Sequence, residues 1–410
     1  MSEHNLLPDP LMLTNPLHQQ QIRLGADRWL AAGLSYPQLI DQEQQQSKNR
    51  DHYPFAAQLA LKLARSRQFL AHMEQPLHLS VVFAIYKEHT RILSRDEHPH
   101  GEDFLREKIR QMQWLCRDLP LITWDMIVVD DGCPEGSGVL AEQTLANHPR
   151  RKGVEVLFLQ QAIQQRHPAI QPLTSTEQSR KGGAVTLGMW QAAQRPHPNS
   201  IILFTDADLS TDLGQCGLLV EGIVEGKGDA AIGSRREPCS IVIKGGQRNH
   251  RGKLFIYLWK RLLPNLSEII DTQCGFKAFK ASTARLILDD LQEKQFAFDI
   301  ELLLKTELNR PGSIEKIPIA WFDSEAASTT TDLQPYLPML RSIVGFYRRY
   351  LPPQPEAEGF AQLIDQLDET TWHQLLSHMP AEISQREPAL FNHSQGLTAN
   401  DLAKAAGLSL

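Results

Sequence analysis

The chain has 410 residues, 41% of them hydrophobic and 22% charged, which is the balance of an ordinary soluble protein with one large core domain and smaller additions. A formal net charge of -6 argues against nucleic acid as the main partner, because phosphate backbones call for a basic surface. The five cysteines (Cys116, Cys133, Cys216, Cys239 and Cys274) are scattered without C-x-x-C spacing, so neither a disulfide framework nor a zinc site is expected.

The opening MSEHNLLPDPLML lacks the basic and apolar regions of a secretory leader, and no run of about 18 apolar residues occurs. A soluble, cytoplasmic protein is expected, with peripheral attachment at the inner face of a membrane as the alternative. Residues 1–75 read as a helical extension. Within it, Phe55 to Leu70 carries apolar residues at helical spacing with Lys62, Arg65 and Arg67 interleaved. The expected arrangement packs the apolar face on the next domain and leaves the charges solvated; contact with an anionic membrane is the alternative. The run Gln42 to Gln46 reads as a solvated loop or helix end.

From Leu77 the pattern changes. Leu79–Ile85, Met126–Val129, Val154–Leu159, Ile201–Phe204, Asp229–Gly233 and Ile314–Ile319 are short apolar, β-branched runs, and helical patterns follow at Glu102–Arg117 and from Gly183. Such alternation predicts βαβ units and a largely parallel sheet covered on both faces, spanning residues 76–350. After Tyr350, Leu351-Pro352-Pro353-Gln354-Pro355 reads as a linker into a small helical extension over 356–410. In its last segment Thr398 is the predicted N-cap and Gly407 the predicted C′ residue. The segment resembles the first helix of a helix-turn-helix, but no recognition helix follows it, so DNA binding is rejected.

The chemistry concentrates at strand ends, where open α/β sheets bind ligands. Tyr86, Lys87 and Glu88 follow the first strand, Asp130 and Asp131 the second, and Asp206 and Asp208 the strand Ile201–Phe204. Two carboxylates one residue apart repel unless a cation lies between them, and hard oxygen donors suit Mg²⁺ or Mn²⁺ bridging to substrate phosphates. A carboxylate such as Asp131 suits the N–H of a nucleobase. Ser179-Arg180-Lys181-Gly182-Gly183 sets basic residues before glycines that open a helix, a combination that favours an anion. Arg235, Arg236, Arg248, Arg251 and Lys253 add further positive charge. Together these residues describe a site for a metal-bound nucleotide diphosphate.

The segments SVVFAIYKE (Ser80–Glu88), VVDDG (Val128–Gly132), KGGAVTLG (Lys181–Gly188), DADL (Asp206–Leu209), GSR (Gly233–Arg235), DTQCGFK (Asp271–Lys277) and FDIEL (Phe298–Leu302) resemble, in order and spacing, the family 2 glycosyltransferases. The likeness is greatest to the branch that acts on dolichyl or polyprenyl phosphate, and it covers Leu77 to Tyr350. The resemblance implies a GT-A fold and inverting transfer of a hexose, glucose first, from a nucleotide-diphosphate sugar such as UDP-glucose. Polyprenyl phosphate is the implied acceptor, with a soluble sugar, small molecule or protein hydroxyl as the alternative. By position it implies that Tyr86, Glu88 and Asp131 hold the nucleoside and that Lys181 and Asp206 lie near ribose or diphosphate. Asp208 would ligate the metal with Asp206 beside it, and Arg235, Arg248 and Arg251 would contact phosphate. Four departures stand out: Ala84 replaces proline, Lys87 asparagine and Ser210 glutamine, and Ala326-Ala327-Ser328-Thr329 stands where a Ser-Lys pair would follow Trp321.

The leaving diphosphate needs positive charge from the metal and from Arg235 or Lys181. A phosphate acceptor is already ionised, whereas a hydroxyl acceptor needs a base, for which Asp299, Glu301 and Asp271 are the candidates. A phosphatase of the D-x-D-x-S/T type would place its second acidic motif after the first, and here VVDDG precedes DADL by about 75 residues. A nucleotidyltransferase shares sheet and metal but would not be expected to carry DTQCGFK.

Overall fold

The computed structural model describes residues 12–243, 249–323, 336–391 and 396–409. Its strands are β1 (Leu77–Ile85), β2 (Ile122–Asp130), β3 (Val154–Phe158), β4 (Ser200–Thr205), β5 (Ala230–Ser234), β6 (Ile241–Ile243), β7 (Phe276–Lys280), β8 (Ile314–Pro318) and β9 (Ala320–Phe322). Its helices begin with α1 (Pro16–Ala31), α2 (Tyr36–Lys48), α3 (Phe55–Ala71), α4 (Phe104–Cys116), α5 (Ser137–Leu145), α6 (Leu159–Gln164), α7 (Gly182–Ala193) and α8 (Cys216–Val224). They continue with α9 (Asn249–Leu262), α10 (Ala281–Leu288), α11 (Phe298–Asn309), α12 (Tyr336–Tyr350), α13 (Pro355–Gln366), α14 (Glu369–Ser377), α15 (Ala381–Ser384) and α16 (Ala399–Ala405).

Seven strands form one sheet in the order β3-β2-β1-β4-β7-β5-β8, and β6 pairs with β9 in a small second sheet. All pairings in the large sheet are parallel except those of β7, which runs antiparallel to both β4 and β5. The expected α/β sheet with helices on both faces is therefore present. The sequence pattern did not reveal β7, whose five residues lie directly behind the loop Asp271–Gly275.

Successive strand residues point to opposite faces, and the buried residues sort accordingly. Val82, Ile127, Val129, Ile202, Phe204 and Ile232 enter one core, and Val81, Phe83, Val128, Leu203 and Ala231 the other. The helical extensions are part of these cores. Leu59, Leu63 and Ala64 of α3 share the second core with β1, while Phe360, Ile364, Leu402 and Ala406 share the first with α9 and α12. In α16 the Thr398 side chain accepts from Asp401 N as the N-cap, and Gly407 takes φ +74°, as expected from the sequence.

The basic face of α3 departs from expectation. Lys62 is fully buried; its Nζ donates to Glu43 and to the Pro318 carbonyl at 3.0 Å. Arg65 donates to Glu43 at 2.6 Å, to Glu221 at 2.5 Å and to the Tyr36 hydroxyl at 3.1 Å. Arg67 donates to the carbonyls of Trp114 and Arg117. These charges are taken up inside the fold, so the face offers neither solvated charge nor membrane contact. The Arg341–Arg349 stretch is likewise engaged: Arg341 with the Leu367 carbonyl, Arg348 with Glu358 and Asp365, and Arg349 with Asp290. The glutamine run falls within α2 with Glu43 and Gln46 buried, because Glu43 faces Lys62. Among the described residues no helix is long and apolar enough to cross a membrane.

Removing one partner of a buried ion pair strands the other charge. Glu43→Ala is expected to lower stability by about 3 kcal/mol, read as a shift in the urea unfolding midpoint.

Candidate active site

Because β1, β2, β4, β5 and β8 are parallel, their carboxyl ends share one edge of the sheet. Antiparallel β7 starts at that same edge, so the loop Asp271–Gly275 enters it from the other direction. This topology gathers Tyr86, Glu88, Asp131, Asp206, Asp208, Arg235 and Asp271 from segments spread over almost two hundred residues.

At the end of β4, the Lys181 ammonium donates to Asp206 Oδ1. Burial works to raise the Asp206 pKa, but Lys181, Lys108 and Lys277 outweigh it and hold the group below the usual carboxylate range. Asp208 Oδ1 accepts from the Ser210 amide at 3.0 Å and the Ser210 hydroxyl at 2.5 Å, while Oδ2 accepts nothing from the described residues. Gly275 lies against Asp206 so closely that a Cβ there would stand 2.3 Å from Oδ2. Glycine at this position lets the β7 loop close over the motif.

Asp131 is a bridge. Its Oδ1 accepts from the Ser179 hydroxyl at 2.6 Å and its Oδ2 from the Lys181 amide at 2.8 Å. Burial pushes its pKa up to about 6, against those two donors. Lys181 meets this demand with φ +73°, a sparsely populated backbone conformation for a side-chain-bearing residue, so the segment is held from both sides. The neighbouring Asp130 accepts from the amides of Gly132, Cys133 and Gly138 and shapes the loop.

Glu88 is buried; its Oε2 accepts from Arg91 at 2.7 Å and its own amide donates to the Ser137 hydroxyl at 2.9 Å. Burial first, then Asp208 and Glu102, push its pKa up to about 7, with Arg91 opposing. Tyr86 is exposed, with the Lys87 ammonium 5.7 Å from its ring centre.

Arg235 is fixed by Asp271. Its amide, Nε and Nη2 donate to that carboxylate at 2.7, 2.8 and 2.6 Å, and its guanidinium lies 5.1 Å from the Trp321 ring centre. Burial disfavours the Arg235 charge, and Asp271 more than compensates. Asp271 thus clamps Arg235 through both of its oxygens.

The two carboxylates of α11, read from the sequence as candidate bases, both lie inside the fold. Glu301 is fully buried and accepts from the amides of Gln292 and Glu293 and, at 2.5 Å, from the Tyr350 hydroxyl, so it organises the 292–293 turn. Asp299 pairs with the buried Lys277 at 3.1 Å, and that ammonium also donates to the Cys274 carbonyl at 2.6 Å. Arg251 is exposed in the first turn of α9. Arg248 and the Ala326–Thr329 stretch lie outside the described residues.

A second polar cluster, His78, Asp125 and His197, sits near the amino ends of β1 and β4, away from this edge. The His78 and His197 rings stack with centroids 3.7 Å apart and planes 11° from parallel. Stacked rings do not aim their lone pairs at one ion, and Asp125 Oδ2 is shared by the Arg195 guanidinium and His78 Nε2.

No protein-family model matches the chain. It is similar to the dolichyl-phosphate β-glucosyltransferase of Drosophila melanogaster, with 28% identity over 285 residues covering 67% of this chain and 76% of the fly enzyme. It is also similar to the undecaprenyl-phosphate mannosyltransferase of Micrococcus luteus, with 26% identity over 203 residues covering 49% of this chain and 73% of that enzyme. Among solved structures, glucosyl-3-phosphoglycerate synthase of M. tuberculosis superposes with a TM-score of 0.45 and 16% identity over 71% of this chain and 86% of that one. The mostly parallel sheet is that of an α/β fold, and the proteins this chain is similar to are glycosyltransferases. Its homologues are dolichyl-phosphate glucosyltransferases and polyprenyl-phosphate mannosyltransferases of family 2.

The raised pKa of Glu88 makes a pH prediction. The folded state holds the proton more tightly than the unfolded chain, so this contribution to stability is present below about pH 4.5 and lost as pH rises through about 7. Glu88→Gln is therefore expected to flatten the decline. Urea midpoints at pH 5 and pH 8 should fall more in the unaltered protein than in the variant.

Proposed function

We propose that the chain transfers glucose, with inversion, from UDP-glucose to the phosphate of a polyprenyl phosphate. The observation that carries the acceptor assignment is that Asp271 and Glu301 are taken up by internal donors, while Asp299 is paired with Lys277 and its remaining oxygen is enclosed. A hydroxyl acceptor would need one of them as base, whereas a phosphate arrives ionised. The names of the relatives support the same acceptor class.

In this reading Asp208, with Asp206 beside it, holds Mg²⁺ or Mn²⁺. The fit is good: the donors are hard oxygens, Asp208 is oriented by Ser210 with an oxygen to spare, and a cation, the Lys181 ammonium, already stands against Asp206. Such an ion supplies charge compensation to the departing diphosphate. Arg235, immobilised by Asp271 and Trp321, presents a fixed positive charge to the same phosphates. Lys181, which stands against Asp206, would offer its ammonium to the diphosphate. Tyr86, Glu88 and Asp131 line the nucleoside end. Arg251 serves phosphate at the acceptor side.

Purified protein incubated with radiolabelled UDP-glucose, Mn²⁺ and polyprenyl phosphate is expected to yield label in the organic phase. Label confined to water-soluble product would overturn the acceptor assignment. Asp208→Ala should reduce transfer at least a hundredfold, as should chelation of the metal. Arg235→Lys keeps the charge but loses the fork that Asp271 grips. It is expected to lower kcat about a hundredfold with a smaller change in donor KM.

A further inference from the structure

Five lysines among the described residues are buried: Lys62, Lys108, Lys260, Lys277 and Lys294. Four have a direct oxygen partner, namely Glu43, the Pro388 carbonyl, Asp299 and the Leu291 carbonyl. Lys108 has none: its Nζ is enclosed without a hydrogen-bond partner among the described residues. An orphan buried ammonium is costly, so its retention asks for a compensating interaction.

Geometry supplies one. Lys108 sits on α4, its ammonium 5.6 Å from the ring centre of Phe83 on β1. One turn later Gln111 Oε1 accepts from the Leu213 amide at 3.0 Å, pinning this helix face to the segment that follows the D-x-D motif. The stretch leading to Leu213 carries Asp206, Asp208 and Asp212, whose negative charges favour the charged form of the ammonium. Asp212 Oδ2 is itself enclosed without a partner. Burial draws the Lys108 pKa down to about 8, against the pull of these three groups.

We infer that Lys108 is the internal counter-charge of the D-x-D segment, a positioning residue that steadies Asp206 and Asp208 before a divalent cation arrives. By charge repulsion it also raises the cation concentration at which the site fills. The inference rests on the reading of these two aspartates as metal ligands. A fixed positive charge behind the ligands opposes a second cation in front of them, so removing it tightens metal binding while loosening the metal-free protein.

The test compares the full chain with Lys108→Met, with Lys62→Met as a buried lysine outside the motif, and with Asp208→Asn. Mn²⁺ affinity is measured by calorimetry without nucleotide, and Tm with and without Mn²⁺. Lys108→Met is expected to bind Mn²⁺ roughly tenfold more tightly, and to lose Tm without metal but recover it with Mn²⁺. Lys62→Met should lose Tm equally in both conditions and bind Mn²⁺ as the unaltered chain does. Should the methionine variant not fold, Lys108→Gln carries the same expectation. Unchanged or weaker Mn²⁺ binding, or a Tm loss that metal does not relieve, would overturn the inference and leave Lys108 as packing. If the unaltered chain and Asp208→Asn bind Mn²⁺ equally, the metal reading itself falls.

Discussion

The crowding of carboxylates at one edge of a parallel sheet is the constraint on which the rest of the structure depends. Glu88, Asp131, Asp206, Asp208, Asp271 and Asp299 converge there because strand polarity brings them together. Each must be balanced in a partly dry environment. The fold answers with a fixed set of cations drawn from helices and loops: Arg91 on Glu88, Lys181 on Asp206, Arg235 on Asp271 and Lys277 on Asp299. Much of the local architecture, including the strained backbone at Lys181, delivers these charges where they are required.

That balance separates the carboxylates into two populations. Asp271, Glu301 and Asp130 are saturated by internal donors, and Asp299 is paired through Oδ2 with Lys277 while its Oδ1 is enclosed without a partner among the described residues; all four hold loops and cations in place. Asp208 keeps an oxygen uncommitted, and Asp206 is held by a lysine side chain that remains partly exposed and is long enough to move. The second population suits ligand chemistry; the first makes it possible by fixing Arg235 and closing the β7 loop.

The sequence carried the strand ends well, since a buried strand announces itself through a short β-branched run and polar residues after it mark its exit. It carried less of what depends on distant partners. Nothing near Lys62 signals that Glu43 will meet it, so its helix face reads as solvated. Asp299 and Glu301 read as candidate bases until Lys277 and Tyr350 are brought against them. Strand β7 escaped because its five residues follow a loop directly and run against their neighbours. The alternation in Phe276-Lys277-Ala278-Phe279-Lys280 is the signal that would have found it. Lys108 carries no local mark at all: in sequence it is one charge among several on a polar helix.

The sharing of one core by α9, α12 and α13 to α16 bears on the order in which the protein takes shape. The apolar face of helix α9 shares its core with residues some hundred positions later, among them Phe360, Ile364 and Leu402. A chain emerging from the ribosome at about 5–20 residues per second would leave that apolar face open until those residues appear. That face of α9 is buried only once α13 to α16 are in place.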